Sequence, residues 1–354
     1  MRSTAHLPLR RRLLGFGLAS GLMGAGRGAG ARDEPHSSYG QRSEVHEFAA
    51  ELASGHDLDP AWVRSCLAAG RRCPDADRWM APVPSASRDW RRFRLGQLDP
   101  RRLARGQSFW SQYEPALARA QANFGTAPEF VVAILGIESS YGRLTGRYRT
   151  LDVLMTLAFD CERRAAEYRE ELGQFLLLCH EQSSDPTGYF GSIAGAIGLP
   201  QFLPSSIRRY ALDFDHDGRV DIAHSATDAV GSVGHFLYQH GWRPDLPALI
   251  DVEVPATAMA GEALDAPRRW QQLQDLGLTS TLDLAPDESV QLIGLPYLDA
   301  QGLAAQEFRL GTDNLTVLLG YNRSHFYAAA VVDLALELRK GFQAGPGAGY
   351  SASG

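Results

Sequence analysis

Lysine is all but missing from this chain. Every one of its 35 basic residues except Lys340 is arginine, and 41 acidic residues outweigh them to a net charge of −6. A net acidic chain is poorly suited to neutralise nucleic-acid phosphates, so no nucleic-acid partner is expected. Cysteine is scarce too: Cys66, Cys73, Cys161 and Cys179 lack metal-ligand spacing, and the ten histidines do not cluster. The longest apolar run falls short of the about 20 residues a spanning helix needs. There is no His-Glu-x-x-His helix, no Gly-x-Ser-x-Gly elbow and no internal repeat, which excludes the zinc-protease, nucleophile-elbow and solenoid classes. What is present is ordinary for a soluble globular protein: 44% hydrophobic and 21% charged residues over 354 positions. At about 150 residues per domain that length allows roughly two domains and a large core.

The first 31 residues stand apart. They hold five arginines and no other charge. Arg10, Arg11 and Arg12 precede an apolar run from Leu13 to Met23, and Ala29-Gly30-Ala31 offers a small-x-small cleavage site. This is the pattern of an export leader, and the Arg-Arg string also suits a twin-arginine signal. No cysteine lies near the cleavage site to carry a lipid anchor. Removal of the leader takes five of 35 basic residues and leaves 30 against 41 acidic ones, or −11.

Periodicity places helices from Ser43, from Asp59-Pro60, from Asp99-Pro100 to a stop at Gly125, and from Pro128, then near 164–181, 205–212, 226–240 and 324–340. Residues 74–88 are rich in Pro and Ser and read as loop. Between Asp251 and Leu319 the pattern turns to alternation, as in Ser289-Val290-Gln291-Leu292-Ile293, set among Pro, Gly and Asp. That predicts a small β-containing insertion in a mainly helical protein. Cys161 and Cys179 flank a nearly continuous helix, so about 25 Å should part them and no disulfide is expected there. Cys66 and Cys73 straddle a helix end at Gly70, where a bridge is geometrically open.

Three segments carry candidate chemistry. In Ile134-Leu135-Gly136-Ile137-Glu138-Ser139-Ser140-Tyr141-Gly142, Glu138 falls on the apolar stripe of its helix near the C-terminal end. Desolvation and the facing carbonyls both disfavour its anion, as suits a general acid. The alternative is a capping or salt-bridged glutamate. In Gly191-Ser192 through Pro204-Ser205-Ser206, small residues allow close approach of a ligand, Ser192 and Gln201 offer hydrogen bonds and Phe202 a stacking face; tight helix–loop packing is the alternative. In Asp213-Phe214-Asp215-His216-Asp217-Gly218-Arg219-Val220-Asp221, alternate aspartates, a glycine and the Arg219 carbonyl match the first nine positions of a calcium loop. His224 stands at the twelfth position, which leaves Asp228 to close the site; a solvated acidic turn is the alternative. The arginine pairs 71–72, 163–164 and 208–209 read as solvated faces or as anion clamps.

These segments together resemble the lytic murein transglycosylase B family, from Trp79 to Leu338. The motifs that carry the resemblance are Ile137-Glu138-Ser139-Ser140-Tyr141-Gly142-Arg143, Leu151-Asp152-Val153-Leu154 with Thr156-Leu157-Ala158-Phe159, Arg163-Arg164, the 191–206 segment and Tyr321-Asn322. The resemblance implies a mainly α (α+β) fold: a lysozyme-like helical core with flanking helices, a small β domain and an EF-hand-like calcium loop. It places the catalytic acid/base on Glu138 and glycan contacts on Ser192, Gln201, Tyr321 and Asn322, with Arg163 and Arg164 beside them. Phe93 and Phe236 stand where the best-known members have cleft tyrosines, which keeps ring stacking and removes two hydroxyls. Calcium falls on 213–228, with Asp213, Asp215, Asp217, Arg219, Asp221 and Asp228 as ligands. The implied layout is a leader over 1–31, a helical segment over 32–80, a core over 81–250 and 320–342, a β insertion over 251–319 and a tail over 343–354. The implied activity is cleavage of the bond between N-acetylmuramic acid and N-acetylglucosamine in the periplasm, by a monomer with structural calcium and no cofactor for chemistry. Its partners are glycan strands and, as a further class, cell-wall synthesis proteins. A hydrolytic muramidase and a calcium-dependent glycan binder without catalysis are the rival readings.

Overall fold

Aspartate–proline pairs start the helices that the sequence marks most clearly. The computed structural model describes residues 39–80, 89–260 and 266–344; the leader, residues 81–88 and the tail beyond 344 lie outside the described residues. α1 (Ser43–His56) is followed by α2 (Pro60–Ala68), where the Asp59 side chain accepts from the Ala61 N–H and Pro60 fills the first turn. The same device opens α5 (Pro100–Phe124): Asp99 accepts from the Arg101 and Arg102 N–H groups, and Gly125 ends the helix at φ +68°. α5 is kinked at Tyr113 (φ −111°, ψ 21°), two residues before Pro115, which lacks the N–H a straight helix would use.

Two expectations are corrected. The stretch 74–88 is not all loop, because α3 (Pro74–Trp79) forms there: Pro74 is tolerated in a first turn, and Asp75 and Asp77 favour a helix N-terminus. α7 (Thr150–Phe159) went unanticipated. Leu151, Val153, Leu154, Met155, Leu157 and Ala158 are all buried, so the helix is apolar nearly all round and shows no stripe. It packs on α8 (Ala165–Glu181), which supplies Tyr168, Leu172, Phe175 and Leu176 to the same core. The remaining helices are α4 (Trp90–Gln97), α6 (Pro128–Ser139), α9 (Pro204–Tyr210), α10 (Ala226–Gln239), α11 (Trp270–Gln274), α12 (Asp313–Tyr321) and α13 (His325–Ala344).

A two-residue ladder joins β1 (Tyr148–Arg149) to β2 (Phe190–Gly191). The larger sheet consists of β3 (Leu249–Glu253), β4 (Arg268–Arg269), β5 (Thr279–Ser280), β6 (Ser289–Leu298) and β7 (Ala304–Gly311), in the order β4-β6-β7-β3-β5 with antiparallel neighbours. The alternation of β6 puts Val290 and Leu292 into a small core with Ile250, Trp270, Leu273 and Leu310. Packing divides the described residues into two compact units: one of 89–96 and 240–333, which holds this sheet, and one of 39–80, 97–239 and 334–344, which is helical apart from the short β1–β2 ladder. The four cysteines are unpaired. Among the described residues no helix is long and apolar enough to cross a membrane.

Candidate active site

α6 carries Glu138 in its last turn. Val131, Val132, Ala133, Ile134 and Leu135 are fully buried, and Glu138 itself is 9% exposed. The helix ends by folding back on itself: the Ser140 N–H donates to the Gly136 carbonyl and the Tyr141 N–H to the Leu135 carbonyl, both at 3.1 Å. Ser140, Tyr141 and Gly142 all take positive φ, +51°, +61° and +83°. Ser139 staples this turn, accepting from the Gly142 N–H at 2.9 Å and donating to the Leu135 carbonyl at 3.3 Å. Arg105 on α5 donates to the Ser140 hydroxyl at 3.2 Å.

The 190–202 segment closes against this turn. Gln201, at φ +51°, donates through Nε2 to the Thr145 carbonyl at 3.0 Å and to the Gly198 carbonyl at 2.8 Å. A Cβ on Gly146 would lie 2.0 Å from the Gly191 carbonyl carbon, so only glycine lets the two backbones meet. Ser192 accepts from the Ala194 and Ala196 N–H groups at 3.2 and 3.1 Å. Ser192 and Gln201 therefore shape the loop through these bonds. The structure thus brings Glu138, Ser192 and Gln201 onto two segments that are hydrogen-bonded to each other.

Other expected contacts fall elsewhere. Phe202 and Phe236 are each only 3% exposed and pack ring to ring at 5.6 Å, with Tyr210 edge-on to Phe236 at 5.0 Å. Neither presents a stacking face; both are core residues, because the apolar ring gains more inside than on a cleft wall. Arg164 takes φ +68° at the start of α8 and is ion-paired with Glu167, so it is not a free clamp, whereas Arg163 is exposed. Phe93, Tyr321 and Asn322 belong to the unit that holds the larger sheet. Phe93 is half-buried against Trp90 and Phe326. Tyr321 stacks on Tyr327 at 6.2 Å, and Asn322 is buried with no hydrogen-bond partner for Oδ1 among the described residues. Sequence reading gave no separate role to Tyr141 or to Arg105, both of which the structure places at this turn; the signal for the first was Gly136, a residue without a side chain two positions before Glu138. A separate cavity of about 380 Å³, lined by Trp110, Leu117, Glu129 and Arg339, contains none of the sequence-marked residues.

The 213–228 loop gathers oxygen. Ligand atoms of Asp213, Asp215 and Asp217 lie within 4.8 Å of one another, and Gly218 supplies the φ of +92° that the turn needs. An all-oxygen set of three carboxylates fits a hard divalent cation. Two expected ligands do not converge. Asp228 is buried and accepts from the Phe214, Asp215 and Asp221 N–H groups at 2.7, 3.2 and 2.8 Å. Asp221 accepts from the Ala223 and His224 N–H groups. Neither belongs to the cluster of ligand atoms that Asp213, Asp215 and Asp217 form, although those three also accept backbone N–H groups. Arg219 donates its N–H to Asp217 at 2.8 Å. The Ser225 hydroxyl holds the Asp215 carboxyl below its ordinary range, while burial pushes the Asp228 carboxyl up.

Residues 40–336 match the family model described as a transglycosylase SLT domain. The chain is 31% identical over 308 residues, 84% of its own length and 82% of the other, to the membrane-bound lytic murein transglycosylase B of Escherichia coli (strain K12). The structure of the Escherichia coli lytic transglycosylase Slt35 in complex with calcium superimposes with a TM-score of 0.77 at 30% identity, over 86% of this chain and 95% of that one. SltB3 of Pseudomonas aeruginosa in complex with NAG-anhNAM-pentapeptide gives a TM-score of 0.73 at 27% identity, over 88% and 80%. These likenesses define an enzyme, a lytic murein transglycosylase with a mainly helical, lysozyme-like fold. Within that class the chain belongs to the transglycosylase SLT domain family.

Proposed function

We propose that this enzyme cleaves the bond between N-acetylmuramic acid and N-acetylglucosamine in peptidoglycan and leaves a 1,6-anhydromuramoyl end, with Glu138 as its single acid/base. The observation that carries the reading is the setting of Glu138: a carboxyl at the buried C-terminal end of an apolar helix, beside a loop, 191–206, that contains no carboxylate. Two-carboxylate glycosidases need a second acid about 5–9.5 Å away. Here the substrate supplies the nucleophile. Glu138 protonates the glycosidic oxygen, and the bond to the anomeric carbon breaks as the 2-acetamido oxygen bonds to that carbon. The 6-hydroxyl then displaces the acetamido oxygen, and the Glu138 carboxylate takes its proton. Ser192 orients the acetamido group, and Gln201 contacts the glycan.

The supporting likeness is to SltB3, solved with an anhydro-muramoyl ligand. Asp213, Asp215 and Asp217 would hold calcium as a structural ion, in line with the calcium complex of Slt35. Export to the periplasm through the 1–31 leader completes the reading. Glu138→Gln tests it. General acid catalysis is worth about 10²–10⁴ in rate, so murein cleavage should fall by that factor with the fold intact; near-normal cleavage would overturn the assignment.

A further inference from the structure

We propose that Tyr141 is the positioning residue for Glu138, and that its ring rather than its hydroxyl does the positioning. The inference rests on Glu138 being the acid.

A tyrosine at φ +61° directly after a serine at φ +51° is unusual. Each such residue costs about 1–3 kcal/mol and persists only where its surroundings over-determine it. The surroundings here are two missing side chains. A Cβ on Gly136 of α6 would lie 2.5 Å from the Tyr141 Oη and 2.7 Å from its Cζ. A Cβ on Gly106 of α5 would lie 2.4 Å from the same Oη. The hydroxyl-bearing end of the ring thus occupies a slot that both helices leave vacant, and Phe109 lies beside the ring at 5.5 Å between centroids. Held there, Tyr141 donates its N–H to the Leu135 carbonyl and closes the cap of α6 three residues after Glu138. The cap residue packing back on its own helix is the usual anchor of such an ending.

The hydroxyl makes no comparable contribution. Its oxygen is enclosed and has no hydrogen-bond partner among the described residues. A buried unpaired hydroxyl costs stability, so its retention is not explained by bonding; the ring is the part that packs on Phe109. Loss of the ring would let the last turn of α6 relax and move the Glu138 carboxyl, and a displacement of about 1 Å is enough to cost about 100-fold in rate.

The experiment measures kcat and KM on purified murein glycan, with melting temperatures, for Tyr141→Leu, Tyr141→Phe, Gly136→Ala, the double variant Gly136→Ala with Tyr141→Leu, and Glu138→Gln. Tyr141→Leu should lower kcat about 100-fold with KM within about threefold. Tyr141→Phe should restore kcat to within about threefold of wild type and raise the melting temperature. Gly136→Ala should mimic Tyr141→Leu, because its methyl displaces the ring, and the double variant should be no worse than either single one. A folded Tyr141→Leu enzyme with wild-type kcat would overturn the inference. So would a Tyr141→Phe enzyme as slow as the leucine variant, since the hydroxyl would then be the working group. If all ring-displacing variants fail to fold, Tyr141 is a folding residue and the inference is equally lost. Activity in Glu138→Gln would instead sink the acid assignment itself, so the two failures are distinguishable.

Discussion

Glu138 and Asp228 are both buried carboxylates of the helical unit, 9% and 1% exposed, and the chain treats them in opposite ways. Asp228 faces three backbone N–H groups that converge on it from the 213–221 loop. Glu138 sits at a helix C-terminus, where the exposed backbone groups are carbonyls. The N–H groups that follow it, those of Ser140 and Tyr141, are already given to the Gly136 and Leu135 carbonyls. Glu171 lies between the two cases: buried on α8, it accepts from the Ser205 N–H at 2.9 Å and from the Ser205 hydroxyl at 2.6 Å. The lesson is that burial alone does not mark a catalytic acid. The direction of the neighbouring backbone differs between the two: N–H groups converge on Asp228, whereas carbonyls face the end of the helix that carries Glu138.

The contrast can be broken most sharply at its catalytic end. Glu138→Gln should cost about 10²–10⁴ in rate and little in melting temperature, as read by murein turnover beside circular dichroism. A variant that melts early yet turns over normally would make Glu138 a structural staple like Asp228. The aromatic core gives the next largest effect. Phe236→Ala should cost about 3–5 kcal/mol of stability, measured by denaturant unfolding; unchanged stability with a raised KM would return Phe236 to the cleft wall.

The acidic loop should show the reverse of Glu138: a stability effect without a rate effect. Calcium at about 100 times its Kd should stabilise the enzyme by about 2.7 kcal/mol. Asp213→Ala should abolish that shift with rate unchanged when folded, and a calcium-insensitive wild type would remove the ion from the account. Glu171 gives the smallest effect. Burial outweighs its bonds to Ser205 and raises its pKa above the ordinary 4.5. A raised carboxyl contributes stability that is present below that ordinary value and is lost as pH rises through the folded one. Glu171→Gln should therefore cost about 1–3 kcal/mol at low pH and less at neutral pH. Melting curves at a series of pH values check this, and a gap that widens toward neutral pH would show the sign to be wrong.

Much of this was legible in the chain. Asp59-Pro60, Asp99-Pro100 and Gly125 announce helix ends because capping is local chemistry, and the structure uses each as expected. Alternation near Ser289 likewise foretold β6. α7 was illegible because a helix buried on all sides has no polar face to reveal its period. Phe202 and Phe236 were misread as cleft faces because an aromatic ring looks the same in a sequence whether it faces sugar or another ring. Asp228 stood out as the nearest acid that could close the calcium loop, yet it accepts from the Phe214, Asp215 and Asp221 N–H groups, a convergence that only folding produces. Tyr141 was visible in the motif, but its partners Gly106 and Phe109 lie more than thirty positions upstream on α5.

The central claim is that one carboxyl and the substrate's own hydroxyl do the work of two carboxylates and a water. Mass spectrometry of the fragments released from purified murein tests it directly. The account predicts muramoyl ends in the 1,6-anhydro form, one water lighter than hydrolytic products, and their loss in Glu138→Gln. Predominantly reducing muramic acid ends from the wild-type enzyme would contradict it and make this chain a muramidase.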